Sequence, residues 1–340
     1  MKLIRKLLYP FGMIYGLILS IRNILFDINF FRGKATIINS IGVGNLSVGG
    51  TGKSIVVDYL ISKFQLSQSL VVLSRGYGRK SKGFIMANSL SDAVEIGDEP
   101  FQYLKKYSNI RVAVGENRVK SVNEILKIDS NLSLLILDDI MQHRWIIPDH
   151  LILTTTFSNP FFKDFPMPYG SLREFSCGQK RSHTIVVTKC PTNLTEREIS
   201  EFTKKCRLTV KQKIFFTKIN YSDSIINLSK KIQIESLVDQ KIILVTGIAN
   251  PVPLVNFLIS KNINLNHLQF RDHFNFNRKS INKIKKKAGK LLILTTEKDY
   301  GRLYPKLNTN KLFYIPITLK FINNSDENEF NKRINPLKNR

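Results

Sequence analysis

The sequence predicts an α/β fold, in which a mostly parallel sheet is joined to a second, smaller α/β domain and preceded by an apolar helix. Two observations carry this prediction. Apolar strand segments alternate with amphipathic helical segments along most of the chain, as expected of a parallel sheet covered by helices on both faces. A glycine-rich turn at residues 44–54 connects one such strand to one such helix, which is the setting of a phosphate-binding loop.

The N-terminal leader carries no charged residue from position 7 to position 21, and Lys2, Arg5 and Lys6 precede this run. A membrane-spanning helix needs about 20 apolar residues, whereas a helix lying on a membrane surface needs only an apolar face and basic flanks. Residues 1–30 are therefore predicted to form an interfacial helix with Pro10 in its first turn or at a kink. A signal peptide and a plain core helix are the alternatives, and no convincing small-residue cleavage site follows the run.

After the leader, the phosphate-binding core is predicted to occupy residues 31–215. Its strand segments are residues 36–43, 71–73, 111–114, 134–137, 151–154 and 184–187. A smaller α/β domain is predicted at residues 216–311, with strands at 241–245, 265–270 and 291–294 and a helix at 253–260. In the last segment, residues 312–340, a strand at 312–319 is expected to return toward the first domain, and a polar tail of low order follows from residue 323.

The glycine-rich turn ends in Gly52-Lys53-Ser54 and matches the P-loop pattern G-x-x-x-x-G-K-[ST], except that Ser47 stands at the first glycine. Gly49 and Gly50 are expected to supply the flexibility instead. Lys53 would reach the β and γ phosphates, and Ser54 would place its hydroxyl on Mg²⁺. The predicted cofactors are ATP and Mg²⁺, in a P-loop NTPase-like core. The predicted nucleotide-binding residues are Ser47, Val48, Gly49, Gly50, Thr51, Gly52, Lys53 and Ser54.

Two acidic segments are candidates for the chemistry. The strand at 134–137 ends in Asp138 and Asp139, which is how a P-loop fold brings a second Mg²⁺-holding group beside the phosphates. Asp98 and Glu99 precede a helical pattern at residues 101–106. They suit either helix capping or, for Asp98, a general base that accepts the proton of an attacking alcohol. Spacing alone does not choose between these two interpretations.

Several polar side chains follow strand segments, where ligands bind in open α/β sheets. Arg75 and Arg79 lie on a glycine-rich loop and suit either bidentate phosphate recognition or solvent. Gln142 and His143 come directly after the aspartates, in either a structural or a substrate-positioning role. Two further basic groups, Arg118 and Arg173, also follow sheet elements, and His273 follows a strand of the second domain beside a carboxylate, an arrangement that is commonly structural.

The net charge of +26 bears on the binding partners of the protein, and its three cysteines bear on the redox state of its compartment. Such a charge attracts nucleic acid, phosphorylated substrates or an acidic membrane. Lys, Asn and Ile are frequent throughout, as in an AT-biased genome, and no zinc-finger or RNA-recognition signature occurs, so we expect no nucleic-acid partner. Cys177, Cys190 and Cys206 are too far apart for a C-x-x-C pair, which favours a reducing cytosolic setting with all three packed as small hydrophobes.

Taken in order, these segments resemble the tetraacyldisaccharide 4′-kinases, the lipid A 4′-kinases of Gram-negative bacteria, from the leader to about residue 300. Ten short blocks carry the resemblance, namely VGNLSVGGTGKS, LSRGYGR, GDEP, VGENR, LDDIMQHR, GSLRE, VVTKCP, GIANP, RDHFNF and TTEKD. The sequence departs from the family pattern at three places. Ser54 stands where Thr is usual, Ile140-Met141 replaces a small-aromatic pair, and Phe274 replaces a second histidine.

The resemblance implies transfer of the γ-phosphoryl group of ATP to the 4′-hydroxyl of tetraacyldisaccharide 1-phosphate at the cytoplasmic face of the inner membrane. We expect the protein to be a monomer. Lys53 and Ser54 would hold phosphates and Mg²⁺, Asp98 would be the catalytic base, and His273 would pair with it. The implied metal-organising residues are Ser54, Glu99, Asp138 and Asp139. The implied substrate-binding residues are Arg75, Arg79, Arg118, Gln142, His143 and Arg173.

Two other functional classes make different demands on the sequence. A P-loop regulator or GTPase needs a base-specificity element such as N-K-x-D, and residues 188–191 read Thr-Lys-Cys-Pro without the Asp. A nucleic-acid-binding protein would use the positive charge without turnover. Both are disfavoured.

Overall fold

The structure is a computed structural model that describes residues 7–272 and 274–335. Its larger sheet has nine strands in the order β17-β10-β9-β8-β2-β6-β3-β5-β4. These strands are β2 (Asn39–Asn45), β3 (Leu70–Ser74), β4 (Ile85–Met86), β5 (Arg111–Val114), β6 (Leu134–Asp138), β8 (His150–Thr156), β9 (Thr184–Thr188), β10 (Lys213–Tyr221) and β17 (Ile317–Phe321). From β10 to β5 all neighbours run parallel, and β4 and β17 form antiparallel edges. A minor pair, β1 (Lys34–Ala35) and β7 (Ile146–Ile147), lies apart.

Helices cover both faces of this sheet, because its strands are apolar on both sides. Alternate residues of β3 show the two faces: Val71 and Leu73 belong to one apolar core, and Leu70 and Val72 belong to the other. The helices of this part are α1 (Tyr9–Asp27), α2 (Lys53–Phe64), α3 (Ala93–Ile96), α4 (Asp98–Lys106), α5 (Arg118–Ile128) and α6 (Glu196–Cys206).

The smaller sheet has six strands in the order β12-β11-β16-β15-β13-β14. They are β11 (Ser224–Ile226), β12 (Lys231–Gln233), β13 (Lys241–Thr246), β14 (Asn264–Gln269), β15 (Leu292–Thr296) and β16 (Leu312–Ile315). Its helices are α7 (Val252–Ser260), α8 (Arg278–Ala288) and α9 (Glu297–Leu307), and the chain closes with α10 (Asn324–Ile334). Two further apolar cores lie on the faces of this sheet. The predicted α/β fold is confirmed.

The C-terminal segment differs from its prediction in two ways. The predicted strand at 312–319 is broken at Pro316: β16 belongs to the smaller sheet, while β17 pairs antiparallel with β10 and so returns to the larger one. The prediction of a disordered tail is wrong as far as residue 334, because α10 buries Phe330 and Ile334 against the larger sheet. A short amphipathic stretch with few apolar residues acquires its order from that packing.

The predicted division after residue 215 falls inside β10. Residues 213–216 of that strand pair with β9, and residues 217–221 pair with β17, all within the larger sheet. The strands of the smaller sheet begin at Ser224. The domain boundaries at residues 30, 215 and 311 therefore stay a prediction. A boundary in this region has to follow β10, because that whole strand belongs to the larger sheet.

The cysteines follow their prediction in part. All three are free thiols, and Cys190 and Cys206 are buried as small apolar groups. Cys177 is exposed on a 3₁₀ turn, so its predicted packing is wrong.

Helix α1 is longer than the uncharged run, and Pro10 lies in its first turn, where the missing N–H costs no hydrogen bond. Gly12 and Gly16 are buried against residues 165–175: a Cβ on Gly12 would lie 2.9 Å from the carbonyl oxygen of Pro166, and one on Gly16 would lie 2.5 Å from the ring of Phe175. The opposite face exposes Phe11, Ile14, Leu17, Ile18, Ile21 and Ile24. Within the described part of the chain, α1 alone is long and apolar enough to cross a membrane.

Candidate active site

The P-loop runs from the end of β2 to the start of α2, with two glycines in the left-handed region. Gly52, at φ 84°, directly precedes α2, and a Cβ there would lie 2.8 Å from the hydroxyl oxygen of Thr188. Gly49, at φ 112°, has open space where its Cβ would be. A side chain would be strained at either position, so the turn depends on glycine. Ser47 in place of the first pattern glycine is tolerated, since it forms a short bridge with Leu172 instead of turning.

Neighbouring segments fix the carbonyl groups of the P-loop. Thr188 Oγ1 donates to the carbonyl oxygen of Thr51 at 2.8 Å, and Lys189 Nζ donates to that of Gly50 at 2.6 Å. Asn45 Nδ2 donates to the carbonyl oxygen of Ser47 at 2.6 Å. A backbone turn that is held rigid in this way can bind an anion without reorganising.

One carboxylate gathers the charged groups beside the P-loop. Asp139 accepts two hydrogen bonds from Arg173 Nη1, both 3.0 Å long, and its Oδ1 lies 3.5 Å from Lys53 Nζ. Burial favours the protonated acid, but Lys53 and Arg173 outweigh it and lower the pKa of Asp139 below its usual value. Two cations and one anion therefore meet next to the phosphate-binding turn.

A second group of oxygens comes from Ser54, Glu99 and Asp138. Ser54 Oγ donates to Glu99 Oε1 at 2.6 Å, so the start of α2 contacts the start of α4. Asp138 is buried, and its Oδ1 has no hydrogen-bond partner within residues 7–272 and 274–335. Burial, together with the nearby charges of Glu99 and Asp139, raises the pKa of Asp138 to about 7. A buried oxygen in this state is one that a hard cation would stabilise.

Asp98 opens α4 and faces the smaller sheet. Arg302, on α9, donates from Nε to Asp98 Oδ2 at 3.0 Å, and its Nη2 contacts the same oxygen. The side chain of Asp98 remains about one-third exposed. The candidate base thus lies where the two sheets meet. His273, its predicted partner, lies outside the described residues.

The predicted substrate-binding side chains other than Arg173 differ in their exposure and in their contacts. Arg75 is exposed directly after β3, and its charge contributes to the lowered pKa of both Arg118 and His143. Arg118 itself is buried and donates to the carbonyl oxygens of Gly115 and Asp138, so it supports the end of β6. Burial lowers the pKa of Arg118 to about 10.

Two of the remaining side chains, Arg79 and Gln142, have protein partners that restrict them. Arg79 donates to the carbonyl oxygen of Gly83 at 2.6 Å and pairs with Glu116. Gln142 bridges Arg173 and the carbonyl oxygen of Asn45. Burial and neighbouring arginines lower the pKa of His143 to about 4, so its imidazole is neutral at physiological pH.

Comparisons with known proteins agree over the whole length of the chain. The family described as Tetraacyldisaccharide-1-P 4′-kinase matches residues 4–337. The chain belongs to this family. It is 42% identical to the Tetraacyldisaccharide 4′-kinase of Flavobacterium psychrophilum, covering 98% of this chain and 97% of that one, and 36% identical to that of Bacteroides thetaiotaomicron, covering 97% and 92%. The crystal structure of LpxK from Aquifex aeolicus in complex with ATP matches with a TM-score of 0.79 at 27% identity, covering 97% of this chain and 99% of that one.

In this member of the tetraacyldisaccharide-1-P 4′-kinase family, three side chains at the site escaped the sequence prediction. Lys189 follows β9 at its carboxyl end, a position that is itself a signal for ligand or loop contact. Glu174 is adjacent to Arg173, but nothing local indicates that it is buried. Arg302 is separated from Asp98 by 204 residues, and no local pattern identifies it.

Two of the three departures from the family pattern are packing side chains, whereas Ser54 keeps a hydroxyl that bonds Glu99. Ile140 and Met141 are buried beneath β2, where a Cβ on Gly44 would lie 2.6 Å from Met141 Cβ. Phe274 packs at a tilt on Phe270, with ring centroids 4.8 Å apart, against an apolar core of the smaller sheet. These side chains pack and leave the charged groups in place.

Proposed function

We propose that this protein transfers the γ-phosphoryl group of ATP to the 4′-hydroxyl of tetraacyldisaccharide 1-phosphate, giving lipid IVA in lipid A biosynthesis. The observation that carries the proposal is the meeting of Lys53, Asp139 and Arg173 beside a P-loop in a chain of the tetraacyldisaccharide-1-P 4′-kinase family. Phosphoryl transfer requires positioned cations around the phosphates and little covalent chemistry from the protein.

The residues present fit both ATP and Mg²⁺. The left-handed glycines leave an open turn for phosphates, and the buried, unpartnered Oδ1 of Asp138 fits a metal ligand. Residues 47–54 would hold the phosphates, with Lys53 at the β and γ groups. Ser54, Glu99, Asp138 and Asp139 would hold Mg²⁺, which when bound offsets the negative charge of the phosphates.

Asp98 is the proposed general base. Its carboxylate accepts the proton of the 4′-hydroxyl as that oxygen bonds to the γ-phosphorus and the bond to the β-phosphate oxygen breaks, releasing ADP. Arg173 and Lys53 stay beside the transferring group and favour its negative charge. His273 is proposed to pair with Asp98 when the two sheets enclose the substrates.

The lipid carries negative charge on its 1-phosphate, and the basic residues near the site support its recognition. Arg75 is exposed at the carboxyl edge of the sheet and can pair with a phosphate. His143 is proposed to contact the sugar as a neutral donor or acceptor, and Gln142 to act through Arg173, to which its amide oxygen is hydrogen-bonded. Arg79 and Arg118 act through the loops that they hold. The alternative of a P-loop regulator or GTPase is not favoured in a chain of this family.

The membrane is the proposed location of the reaction, since the lipid A kinase family suggests a membrane-associated bacterial enzyme. Helix α1 exposes a continuous apolar face, which suits insertion among acyl chains while its other face stays docked. We place the protein at the cytoplasmic face of the inner membrane, where ATP is present, as a monomer. The positive net charge favours an anionic surface.

Transfer of radiolabelled γ-phosphate from ATP to purified tetraacyldisaccharide 1-phosphate in detergent tests the function. We expect labelled lipid with the intact protein and none with Asp98→Ala or Lys53→Ala. Asp98→Ala should still bind ATP, whereas Lys53→Ala should bind it weakly. Lys287→Ala, on the exposed face of α8, is the matched control and should label lipid normally. Absence of label from intact protein that binds ATP would overturn the proposal.

A further inference from the structure

The apolar leader helix is connected to the active site by a buried polar network. Its centre is Glu174, which is 2% exposed and accepts hydrogen bonds from three side chains. Asn23 Nδ2, on α1, donates to Oε2 at 2.7 Å; Arg181 Nη2 donates to Oε1 at 2.8 Å; and Gln142 Nε2 donates to Oε1 at 3.1 Å. A buried carboxylate is stable only when such donors satisfy it.

Gln142 carries this connection one step further. Its amide oxygen accepts a hydrogen bond from Arg173 Nη1 at 3.2 Å, and the same Nη1 reaches Asp139. A carboxylate only accepts and a guanidinium only donates. Glu174 on one side and Arg173 on the other therefore dictate which way the amide of Gln142 points. If Glu174 moved away, the amide could rotate and present its NH₂ group to Arg173. Two hydrogen-bond donors would then face each other, and the NH₂ group would repel the guanidinium.

Helix α1 is itself docked closely enough to control the position of Glu174. Arg22 Nη2 donates to the carbonyl oxygen of Gln142 at 3.0 Å, and Arg144 Nη1 donates to the carbonyl oxygen of Asn23 at 2.6 Å. The buried Gly16 allows this close approach. These contacts come from the polar and small-residue face of the helix, opposite to its exposed apolar face.

We propose that helix α1 is a positioning element of the catalytic site: Asn23 holds Glu174, Glu174 orients Gln142, and Gln142 holds Arg173 beside Asp139 and Lys53. This inference rests on the proposed function, because Arg173 matters only if phosphate is transferred nearby. It goes beyond membrane attachment, since it assigns the helix a role that persists when no membrane is present. Asn23, Gln142 and Glu174 are positioning residues and contact no reacting atom.

The variant Asn23→Leu distinguishes a role of α1 in positioning Arg173 from a role in membrane attachment. The substitution keeps the side-chain size, removes the donor to Glu174 and makes the helix more apolar. We expect kcat for detergent-dispersed tetraacyldisaccharide 1-phosphate to fall about tenfold or more, as for other small displacements of positioning groups, with a much smaller change in the KM for ATP. Flotation with vesicles of phosphatidylethanolamine and phosphatidylglycerol should show binding at least as strong as that of the unmodified protein. Asn282→Leu, an exposed asparagine on α8, is the matched control.

A double-mutant cycle with Arg173→Lys tests the route. If Asn23 acts through Arg173, Asn23→Leu should cost much less in the Arg173→Lys background than alone. Glu174→Gln, which keeps the shape but loses the exclusive acceptor, replaces Asn23→Leu if that variant does not fold. An unchanged kcat, or fully additive losses, would overturn the inference. A wild-type protein that labels no lipid would instead overturn the proposed function.

Discussion

Arg302, on helix α9 beside the smaller sheet, and Asp98, on helix α4 beside the larger sheet, form an ion pair in which Arg302 Nε lies 3.0 Å from Asp98 Oδ2. The guanidinium of Arg302 also pairs with Asp299, whose Oδ1 lies 3.4 Å from Nη1. Asp299 is buried and accepts a hydrogen bond from the N–H of Gly247 at 2.8 Å. The proposed base is therefore oriented by a chain of contacts that begins in the core of the other sheet.

Replacing Arg302 with Met should lower the rate of lipid phosphorylation by about 10²-fold, because a displaced base of this kind costs about that much. Binding of ATP, measured by calorimetry, should stay unchanged, since Arg302 pairs with Asp98 and Asp299, which lie outside the P-loop at residues 47–54. Arg278→Met, on the exposed start of α8, provides the matched loss of charge. Equal rates of lipid phosphorylation for the Arg302 and Arg278 variants would show that Arg302 does not orient Asp98 for catalysis.

Asp138→Asn should make the nucleotide-free protein more stable and the enzyme inactive. With its pKa raised to about 7, folded Asp138 holds a proton that the unfolded chain releases near pH 4. Its contribution to stability therefore falls as pH rises between these values. At pH 7.5, Asn removes this cost, and we expect a gain on the order of a few kcal/mol in the free energy of unfolding.

Thermal melting of the Asp138→Asn protein at pH 5 and pH 7.5 checks the sign. The gain over the unmodified protein should be larger at pH 7.5, because both proteins carry a neutral side chain at pH 5. A stability loss at pH 7.5 would show that the carboxylate is stabilised by the protein alone.

Lys189→Met should weaken nucleotide binding. The ammonium group of Lys189 holds the carbonyl oxygen of Gly50, and without it the turn must be ordered by the nucleotide itself. We expect the KM for ATP to rise about tenfold, corresponding to about 1.4 kcal/mol, with kcat changed less. Lys286→Met on α8 removes an exposed lysine as the control. If kcat fell and the KM for ATP stayed unchanged, this prediction would be wrong, and Lys189 would act at the transferring phosphate.

Gly52→Ala should be far more damaging than Gly83→Ala, although both glycines have positive φ. Both substitutions incur about 1–2 kcal/mol for the left-handed backbone. Only at Gly52 does the new methyl group meet a neighbour, Thr188, which adds about 1–3 kcal/mol of overpacking. Chemical denaturation measures the difference, and ATP binding should be lost for Gly52→Ala alone. Equal stabilities would mean that Thr188 moves aside freely.

Much of the fold could be predicted because its signals are local. A run of apolar residues identifies β2, β6 and β9 without knowledge of their partners, and the P-loop follows from contiguous residues. The division of residues 312–319 between two sheets could not be predicted, because the pattern stays apolar through the break at Pro316. The order of α10 was missed because two buried side chains, Phe330 and Ile334, give that helix its stability.

The candidate site divides in the same way. Lys53, Ser54, Asp138 and Asp139 are recognisable from sequence, since each lies at a strand end or helix start whose position in a parallel sheet is known in advance. Arg118 shows the opposite case: its basic side chain suggests a ligand, yet burial turns it toward two backbone carbonyls.

The sequence by itself determined the α/β class, the phosphate-binding turn, the acidic strand end and the apolar leader, because each depends on residues that are close together along the chain. Only the tertiary structure decided that Arg302 meets Asp98 and that Asn23 reaches Glu174 across 151 residues. The physical reason is that hydrogen bonds and ion pairs act over about 3 Å. The fold alone sets which distant side chains come within that distance.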